Sequence, residues 1–504
     1  MATERNTAVG LSRHSLAWAG VIALLIGLLM ALAGWRATTN YSFWKDELFS
    51  AAAIADSWSG LLQHWILPDT APPLYGILLK GWVSFTGPSE LGHRSLSLLF
   101  ALFTLIAAFL FRGLGSPLRT IVTILFLGLS PGFVGHAQEA RNYALTMFWA
   151  TCLTGCSLAL PPRISDGSQY RSSTPLVGFY TLSSLGLSLS HYFGYLFAVV
   201  ILLIDLRRHA FRGRTTAALA LMGVLQIWPL LHLVLTGPAG KRLDRVQWID
   251  VTPVIGTLEK YLAGVMPIVG IQTVLLLCTA GCIALLFPGL RHRFLKLCQR
   301  ANSNYPEIMG EISHLLNVLG VFAILMVGVD LIRPISTARN YVVAIPATAF
   351  LMGDLALLIH SRATHAWAWA GRALLATILL ALLADSVNEL QKKTMPMMNY
   401  KALALTVNRT ELCSRGCRTT SSPERISKYF DPAVLKPYRD GTDTSEELPV
   451  LGLGENMEVQ RKLRQAHPNM LCFEPRQSKT GSVFLLITTE KKRQTSLENL
   501  HPCG

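Results

Sequence analysis

The chain has 504 residues, 51% hydrophobic and 15% charged, with a mean hydropathy of +0.39. Soluble domains carry about 25% charged residues, so an ordinary water-soluble protein is excluded. The net charge of +15 does not point to nucleic acid, because the basic residues lie in short loops between apolar blocks and are not gathered in one domain with interleaved aromatics.

The first apolar run, Leu16 to Gly34, follows Arg5, Arg13 and His14. Ala31-Leu32-Ala33 imitates a signal cleavage site, but the run is long enough to span and further apolar blocks follow, so an uncleaved first helix is predicted. Apolar blocks then recur at 95–111, 120–135, 143–160, 175–190, 193–206, 216–236, 265–288, 313–331, 341–359 and 371–388. With the first at 16–36 they predict an all-α polytopic membrane protein of about eleven transmembrane helices.

Residues 72–86 are apolar but short for a span, and they contain Lys80. They are predicted to form an amphipathic helix on the outer surface, begun by Pro72 and Pro73. A second short helix is predicted near 47–58, which makes 37–92 a single outer loop.

Lys and Arg in short loops mark the cytoplasmic side. With an inside start, the inside loops hold Arg112 and Arg119; Arg163 and Arg171; Arg207, Arg208, Arg212 and Arg214; and Arg291, Arg293, Lys296 and Arg300. The outer segments hold Asp46-Glu47, Gln138-Glu139-Ala140-Arg141, His191-Tyr192, the 237–264 loop and the stretch from Arg333 to Asn340.

Residues 1–390 thus form a transmembrane domain, and 391–504 a second, extracytoplasmic one. The latter is more polar, with a strand expected at 483–489, a helix at 455–466 and a turn at Asp440-Gly441, and it reads as a small α/β domain. Four of the nine cysteines, Cys413, Cys417, Cys472 and Cys503, fall in it, an even number suited to disulfides in an oxidising compartment. Asn408-Arg409-Thr410 matches a glycosylation acceptor, a short pattern that is mostly chance. No phosphate-binding loop, dinucleotide fingerprint or internal repeat is present, so nothing supports a nucleotide-driven pump.

The polar residues that can carry chemistry all fall on the predicted outer side, although sidedness follows from inside-loop Lys and Arg alone. Asp46 and Glu47 follow the first span, Glu139, Arg141 and Tyr143 join the third and fourth, His191 and Tyr192 join the fifth and sixth, and Arg339 and Tyr341 open the tenth. Each also has a plainer reading. An acidic pair suits a helix N-terminus, and a lone His or Arg at a span end anchors it at the interface, as Trp44, Trp58, Trp65 and Trp82 do. Glu139 and Arg141, two residues apart, do not face one way on a helix.

These motifs together resemble the GT-C superfamily of polyprenyl-phosphate-sugar-dependent glycosyltransferases, in particular the bacterial group akin to protein mannosyltransferases, the aminoarabinose transferase of lipid A and Rgt-type galacturonosyl transferases. The resemblance covers roughly residues 15–360. It rests on Asp46-Glu47, Ala71-Pro72-Pro73-Leu74-Tyr75, Glu90 through Arg94-Ser95, Gln138 through Leu145, His191-Tyr192-Phe193-Gly194 and Arg339-Asn340-Tyr341. Where the group commonly has His before the double proline, this chain has Ala71, and the 391–504 tail matches no such family.

The resemblance implies a GT-C-like fold in a bacterial inner membrane, with active site and tail on the periplasmic face. It implies inverting transfer of a sugar from a polyprenyl-phosphate donor to a hydroxyl on a glycolipid such as lipopolysaccharide, a glycan or a protein, with membrane lipids as further partners. Asp46 would be the general base, with Glu47 and Glu139 beside it. Arg141, Arg339, His191, Tyr341 and Lys45 would bind the donor phosphate, with Arg94 in reserve, and Tyr75, Tyr143 and Tyr192 the sugar or acceptor. Glu139 could orient the acceptor, pair with Arg141 or hold a divalent cation with Asp46; no metal is assigned. The alternative is a membrane transporter or lipid flippase, which would show discontinuous spans in repeated halves.

Overall fold

A computed structural model describes residues 13–34, 42–67, 72–113, 116–160, 174–208, 256, 260, 306–332, 337–362, 365–392 and 400–409. In the C-terminal part it describes 412–413, 417–419, 429–430, 435–437, 449–453, 457–466, 469–475, 483–488 and 500–503. Tyr41, Ala71, the turn at Asp440-Gly441, the blocks at 216–236 and 265–288, the 237–264 loop apart from 256 and 260, and most of the basic loops lie outside the described residues.

In chain order the helices are α1 (Arg13–Gly34), α2 (Lys45–Ala55), α3 (Leu74–Thr86), α4 (Glu90–Arg112), α5 (Pro117–Gly128), α6 (Pro131–Ala137), α7 (Tyr143–Ala159), α8 (Thr174–Ser188), α9 (Tyr192–Arg208), α10 (Pro306–Ile332), α11 (Ile345–Arg362), α12 (His365–Lys392), α13 (Tyr400–Arg409) and α14 (Met457–Ala466). The strands are β1 (Cys417–Thr419), β2 (Leu435–Pro437), β3 (Val450–Leu453), β4 (Met470–Pro475), β5 (Val483–Thr488) and β6 (Leu500–Pro502). Every predicted apolar block within the described residues is helical. Glu90–Arg112, Pro306–Leu331, Ala338–His360 and Trp369–Leu390 are long and apolar enough to cross a membrane. The total of about eleven spans rests on the sequence.

The predicted span at 120–135 is not one straight helix. Helices α5 and α6 meet at a 59° bend, where Pro131 lacks an N–H to continue the ladder and disfavours helical backbone at Ser130. The predicted span at 341–359 opens as a 3₁₀ segment, Ala338–Ala344, before α11, and Pro346 removes one further donor at that junction.

The described chain forms two compact units. The first comprises Met1–Gly34, Leu98–Ala137 and Tyr143–Ser386; the second comprises Trp35–Ser97, Gln138–Asn142 and Val387–Gly504. The first unit is a helical bundle. Helices α5 and α11 approach closely at Gly353, where a Cβ would collide with the Thr123 hydroxyl and the Arg119 carbonyl. Buried charges are paired: Arg112 donates to Glu311 at 2.6 Å and to Asp354 at 3.2 Å, and Arg119 donates to the same two carboxylates.

In the second unit the first outer loop and the tail share one core. Helix α2 starts where Trp44 has extended backbone, with Asp46 and Glu47 in its first turn, a placement the helix dipole favours. Lys80 of α3 donates its ammonium to the Ile54 carbonyl at 2.8 Å and to that of Asp56, so the one charge in the apolar 72–86 stretch caps the C-terminus of α2. Both prolines precede α3 rather than entering its first turn, and α3 ends at Gly87, whose φ of 81° needs glycine.

The tail folds as a six-stranded mixed sheet in the order β2-β1-β3-β5-β4-β6, with β1 parallel to both β2 and β3 and the remaining pairs antiparallel. Residues alternate across it. Leu485 and Ile487 of β5 join α13 residues Tyr400, Leu403 and Val407 together with Phe43 and Leu48 of the outer loop. Phe484 and Leu486 face the other way, packing with Leu463 of α14. The four tail cysteines form two disulfides, Cys413–Cys417 and Cys472–Cys503.

Candidate functional site

The two adjacent carboxylates have opposite environments. Glu47 is fully buried and accepts four hydrogen bonds. Its Oε1 receives Arg94 Nε at 2.9 Å and the Ala140 backbone N–H at 2.9 Å; its Oε2 receives Arg94 Nη2 at 2.7 Å and the Trp44 backbone N–H at 3.3 Å. Four is about the full acceptor capacity of a carboxylate. The Trp44 contact is half of a capping box, since an indole has no oxygen to return the bond. Arg94, also fully buried, donates further to the Ser42 carbonyl at 3.3 Å and lies over the Phe43 ring, 5.2 Å from its centroid. Glu47 therefore ties together the start of α2, the start of α4 and the Gln138–Asn142 segment. Asp46, one residue earlier on α2, is only half-buried.

Arg141 is held against α2. Its Nη1 donates to the Asp46 backbone carbonyl at 3.2 Å and to Ser50 Oγ at 3.3 Å. Its own N–H closes a tight turn on the Glu139 carbonyl at 2.7 Å. Among the described residues Arg141 has no carboxylate partner, and its Nε is buried with no acceptor. It lines a cavity of about 60 Å³ whose other walls include Phe49, Ser50, Trp65, Tyr75 and Asn142. The Tyr75 hydroxyl lies 3.2 Å from Ser97 Oγ, and burial pushes its pKa up, so it stays protonated. The cavity is thus mostly apolar and aromatic, with one uncompensated guanidinium facing it. Glu139 is buried in the same turn. The Lys45 side chain lies outside the described residues.

The other predicted site residues belong to the helical unit. Tyr143, at the start of α7, packs at a tilt of 39° against both His136, 4.3 Å away, and His191, 5.7 Å away, between ring centroids. His191 Nδ1 accepts the Phe193 N–H at 3.1 Å, so the neutral ring carries its proton on Nε2. Phe193 packs edge-on against the fully buried Tyr341. Arg339 is exposed on the 3₁₀ segment that carries Tyr341, and Tyr192 is half-buried. Tyr143, His191 and Tyr341 are therefore joined through one aromatic cluster, while Asp46, Glu47, Glu139, Tyr75 and Arg141 gather in the outer-loop unit.

Sequence reasoning gives Arg94 only a reserve part in phosphate binding; the structure pairs it with Glu47. Its position four residues after Glu90 at the entry to a span is the available signal. Ser50, Ser97 and His136 carry none. Among the described residues no three His, Cys, Asp or Glu side chains converge as a metal would require.

No protein-family model matches the chain, and neither does any curated protein. Two solved structures of ArnT from Cupriavidus metallidurans are similar in chain path. The one bound to undecaprenyl phosphate is 12% identical, covers 93% of this chain and 98% of its own, and has a TM-score of 0.48. The apo form is 11% identical, covers 94% and 98%, and has a TM-score of 0.44. Likeness at this level carries no weight for the chemistry, which rests on the side chains.

Proposed function

We propose that this chain is an integral-membrane, inverting glycosyltransferase that moves a sugar from a polyprenyl-phosphate donor to a hydroxyl on an envelope glycolipid, glycan or protein, at the outer face of a bacterial inner membrane. The observation that carries the reading is the division of labour around α2. Glu47 has its acceptor positions filled by Arg94 and two backbone N–H groups, so it serves as scaffold. Asp46 is the carboxylate in the same turn that reaches solvent, and Arg141, which donates to the Asp46 backbone carbonyl and has no carboxylate partner among the described residues, lines an apolar cavity.

In the proposed reaction the acceptor hydroxyl attacks the anomeric carbon and gives its proton to Asp46, a step worth roughly 10² to 10⁴ in rate. The bond from that carbon to the phosphate oxygen breaks on the opposite side, and the lipid phosphate leaves with the electron pair. The charge growing on it meets the Arg141 guanidinium, whose fork matches phosphate oxygens and gains most when that charge is fully developed. Apolar walls beside the cation suit an anionic group carried on a hydrocarbon chain. Glu139 is assigned to acceptor orientation. The motif resemblance alone assigns Arg339, His191, Tyr341 and Lys45 to the donor phosphate and Tyr143 and Tyr192 to the sugar.

The test is Asp46→Asn in lipid nanodiscs with a radiolabelled polyprenyl-phosphate sugar. Transfer is expected to vanish while the protein stays monodisperse; wild-type turnover in that variant refutes the base assignment. Among the described residues, the bend between α5 and α6 and the 3₁₀ opening before α11 favour a transporter, since broken helices line transport sites. A transporter moves the donor across the bilayer with its glycosidic bond intact, so label recovered on acceptor separates the two readings.

A further inference from the structure

The three residues that lead into α2 are each held by a different part of the second unit. The Ser42 carbonyl receives Arg94 Nη2, and Ser42 Oγ accepts the Lys401 backbone N–H of the tail helix α13 at 3.3 Å. The Phe43 N–H donates to the Tyr429 hydroxyl at 2.9 Å, and that hydroxyl donates to Glu90 Oε1 at 3.0 Å. The Trp44 N–H goes to Glu47. Lys401 Nζ also approaches Glu90 Oε1 at 3.4 Å. The Phe43 side chain is wholly buried in a core shared with Tyr400, Leu403 and Phe430 of the tail, and Tyr429 packs on its ring. Two tail residues therefore set the backbone directly upstream of Asp46.

We propose that Tyr429 is a positioning residue for the transfer reaction, by which the tail domain fixes the approach of the Asp46 carboxylate. The hydroxyl is suited to the part. A phenol both accepts and donates, and here it accepts from the backbone of the α2 lead-in while donating to the carboxylate that opens α4. Burial pushes its pKa up, so the proton it gives Glu90 is retained across the working pH range. The direction of the α2 first turn follows from its cap, because the extended Trp44 backbone and the N–H groups before it define the entry angle. Reactions that depend on a near-attack geometry lose as much as about 10²-fold for a displacement near 1 Å. On this view the tail is part of the active-site scaffold, in addition to any role it has in choosing acceptors.

The proposal rests on Asp46 as the base, and the experiment keeps the two ideas apart. Full-length wild type, Tyr429→Phe and Glu90→Gln are compared in nanodiscs by amide hydrogen exchange over residues 42–47 and by steady-state transfer. Tyr429→Phe keeps the ring in its core and removes only the hydroxyl. It is expected to speed exchange at Phe43 and to lower kcat about tenfold, with the donor KM within about twofold of wild type. Glu90→Gln retains an oxygen for the Tyr429 proton and is expected to hold most of the wild-type rate. A purely structural tail would leave kcat unchanged in every variant that stays folded. Unchanged exchange at Phe43 in Tyr429→Phe overturns the proposal whether or not transfer is detected. An unchanged kcat beside an active wild type overturns it as well. Wild-type protein with no transfer on any lipid-phosphate sugar counts against the enzyme reading, and the exchange measurement then decides the positioning contact by itself.

Discussion

Replacing Glu47 isolates what the buried ion pair does from what its neighbour does. Glu47→Gln keeps the side-chain shape but takes the Glu47 charge away from the fully buried Arg94 guanidinium. Removing one partner of a buried pair costs about 3–5 kcal/mol. Glu47→Ala also orphans the buried Ala140 N–H, adding about 1–3 kcal/mol. Against a net stability of roughly 5–15 kcal/mol, either loss is severe. The double variant Glu47→Leu with Arg94→Leu removes both charges, and apolar substitutes for a buried pair are often neutral or better. The Ala140 and Trp44 N–H groups and the Ser42 carbonyl then lose these partners, but no charge is stranded in the core, so the double variant should lie above Glu47→Ala, in which both N–H groups are orphaned and the buried guanidinium loses its carboxylate as well. The readout is the fraction of detergent-solubilised protein that stays monodisperse after a heating series. Asp46→Asn, half-buried and one position away, should track wild type in the same series. If Glu47→Gln survives heating like wild type, or if the double variant is no better than Glu47→Ala, the pair does not act as a scaffold.

Arg141→Ala should raise the donor KM and lower kcat/KM by about 10- to 100-fold, equivalent to about 1.4–2.7 kcal/mol of transition-state stabilisation. Arg141→Lys should recover only part, because an ammonium lacks the planar fork; a rise confined to the acceptor KM would show that the guanidinium serves the other substrate. Cys472–Cys503 closes a loop of 31 residues and Cys413–Cys417 one of 4. Loop entropy gives about 4 and about 2 kcal/mol respectively, so Cys503→Ser should speed proteolysis of the tail more than Cys413→Ser, and the reverse order would argue against a chain-entropy origin. Burial raises the Tyr429 pKa above its usual value. The stability it contributes is therefore fully present below about pH 10 and lost as pH rises toward the folded pKa, because the unfolded hydroxyl ionises first. Thermal stability followed from pH 8 to 11 should fall more steeply for wild type than for Tyr429→Phe, and parallel curves would contradict the burial of that hydroxyl.

The membrane helices are legible because a hydrophobic run of span length finds enough apolar surroundings mainly in a bilayer, and each predicted block that is described is helical. What hydropathy does not register is a broken ladder: block 120–135 carries no charge, and only Pro131 hints at the bend. The acidic pair is legible as a site but not as two roles, since nothing local tells Glu47 from Asp46. The distinction comes from Arg94, 47 positions away, and from the Ala140 N–H, 93 positions away. The tail discloses its helix, its last long strand and its even cysteine count, but its attachment to the α2 lead-in depends on Tyr429 and Lys401 meeting Phe43, Ser42 and Glu90. Those are long-range contacts with no sequence signature.

A charge at membrane depth is usually taken as a functional signal, and the helical unit shows when that rule overreaches. Arg112 and Arg119 read from sequence as loop markers of the cytoplasmic side, yet both are bound to Glu311 and Asp354, two cations against two carboxylates from α4, α5, α10 and α11. One turn further along α10, His314 meets a second buried group. Asp205 accepts from Ser157 Oγ at 2.9 Å and from the Tyr180 hydroxyl at 2.9 Å. Ser157 has one proton and gives it to Asp205, so the 2.8 Å contact with His314 is Nε2–H donating to Ser157 Oγ. Glu311 and His314, three residues apart on one helix face, thus fasten α10 to its neighbouring helices. The two arginines are matched by two carboxylates within the bundle, which removes the electrostatic reason to look for an anionic ligand there. Arg141 has, among the described residues, only a backbone carbonyl and a serine hydroxyl, and a cavity in front of it. Among the described residues, what separates Arg141 from these braces is the lack of a carboxylate partner, a property of the folded neighbourhood that no residue type or spacing carries by itself.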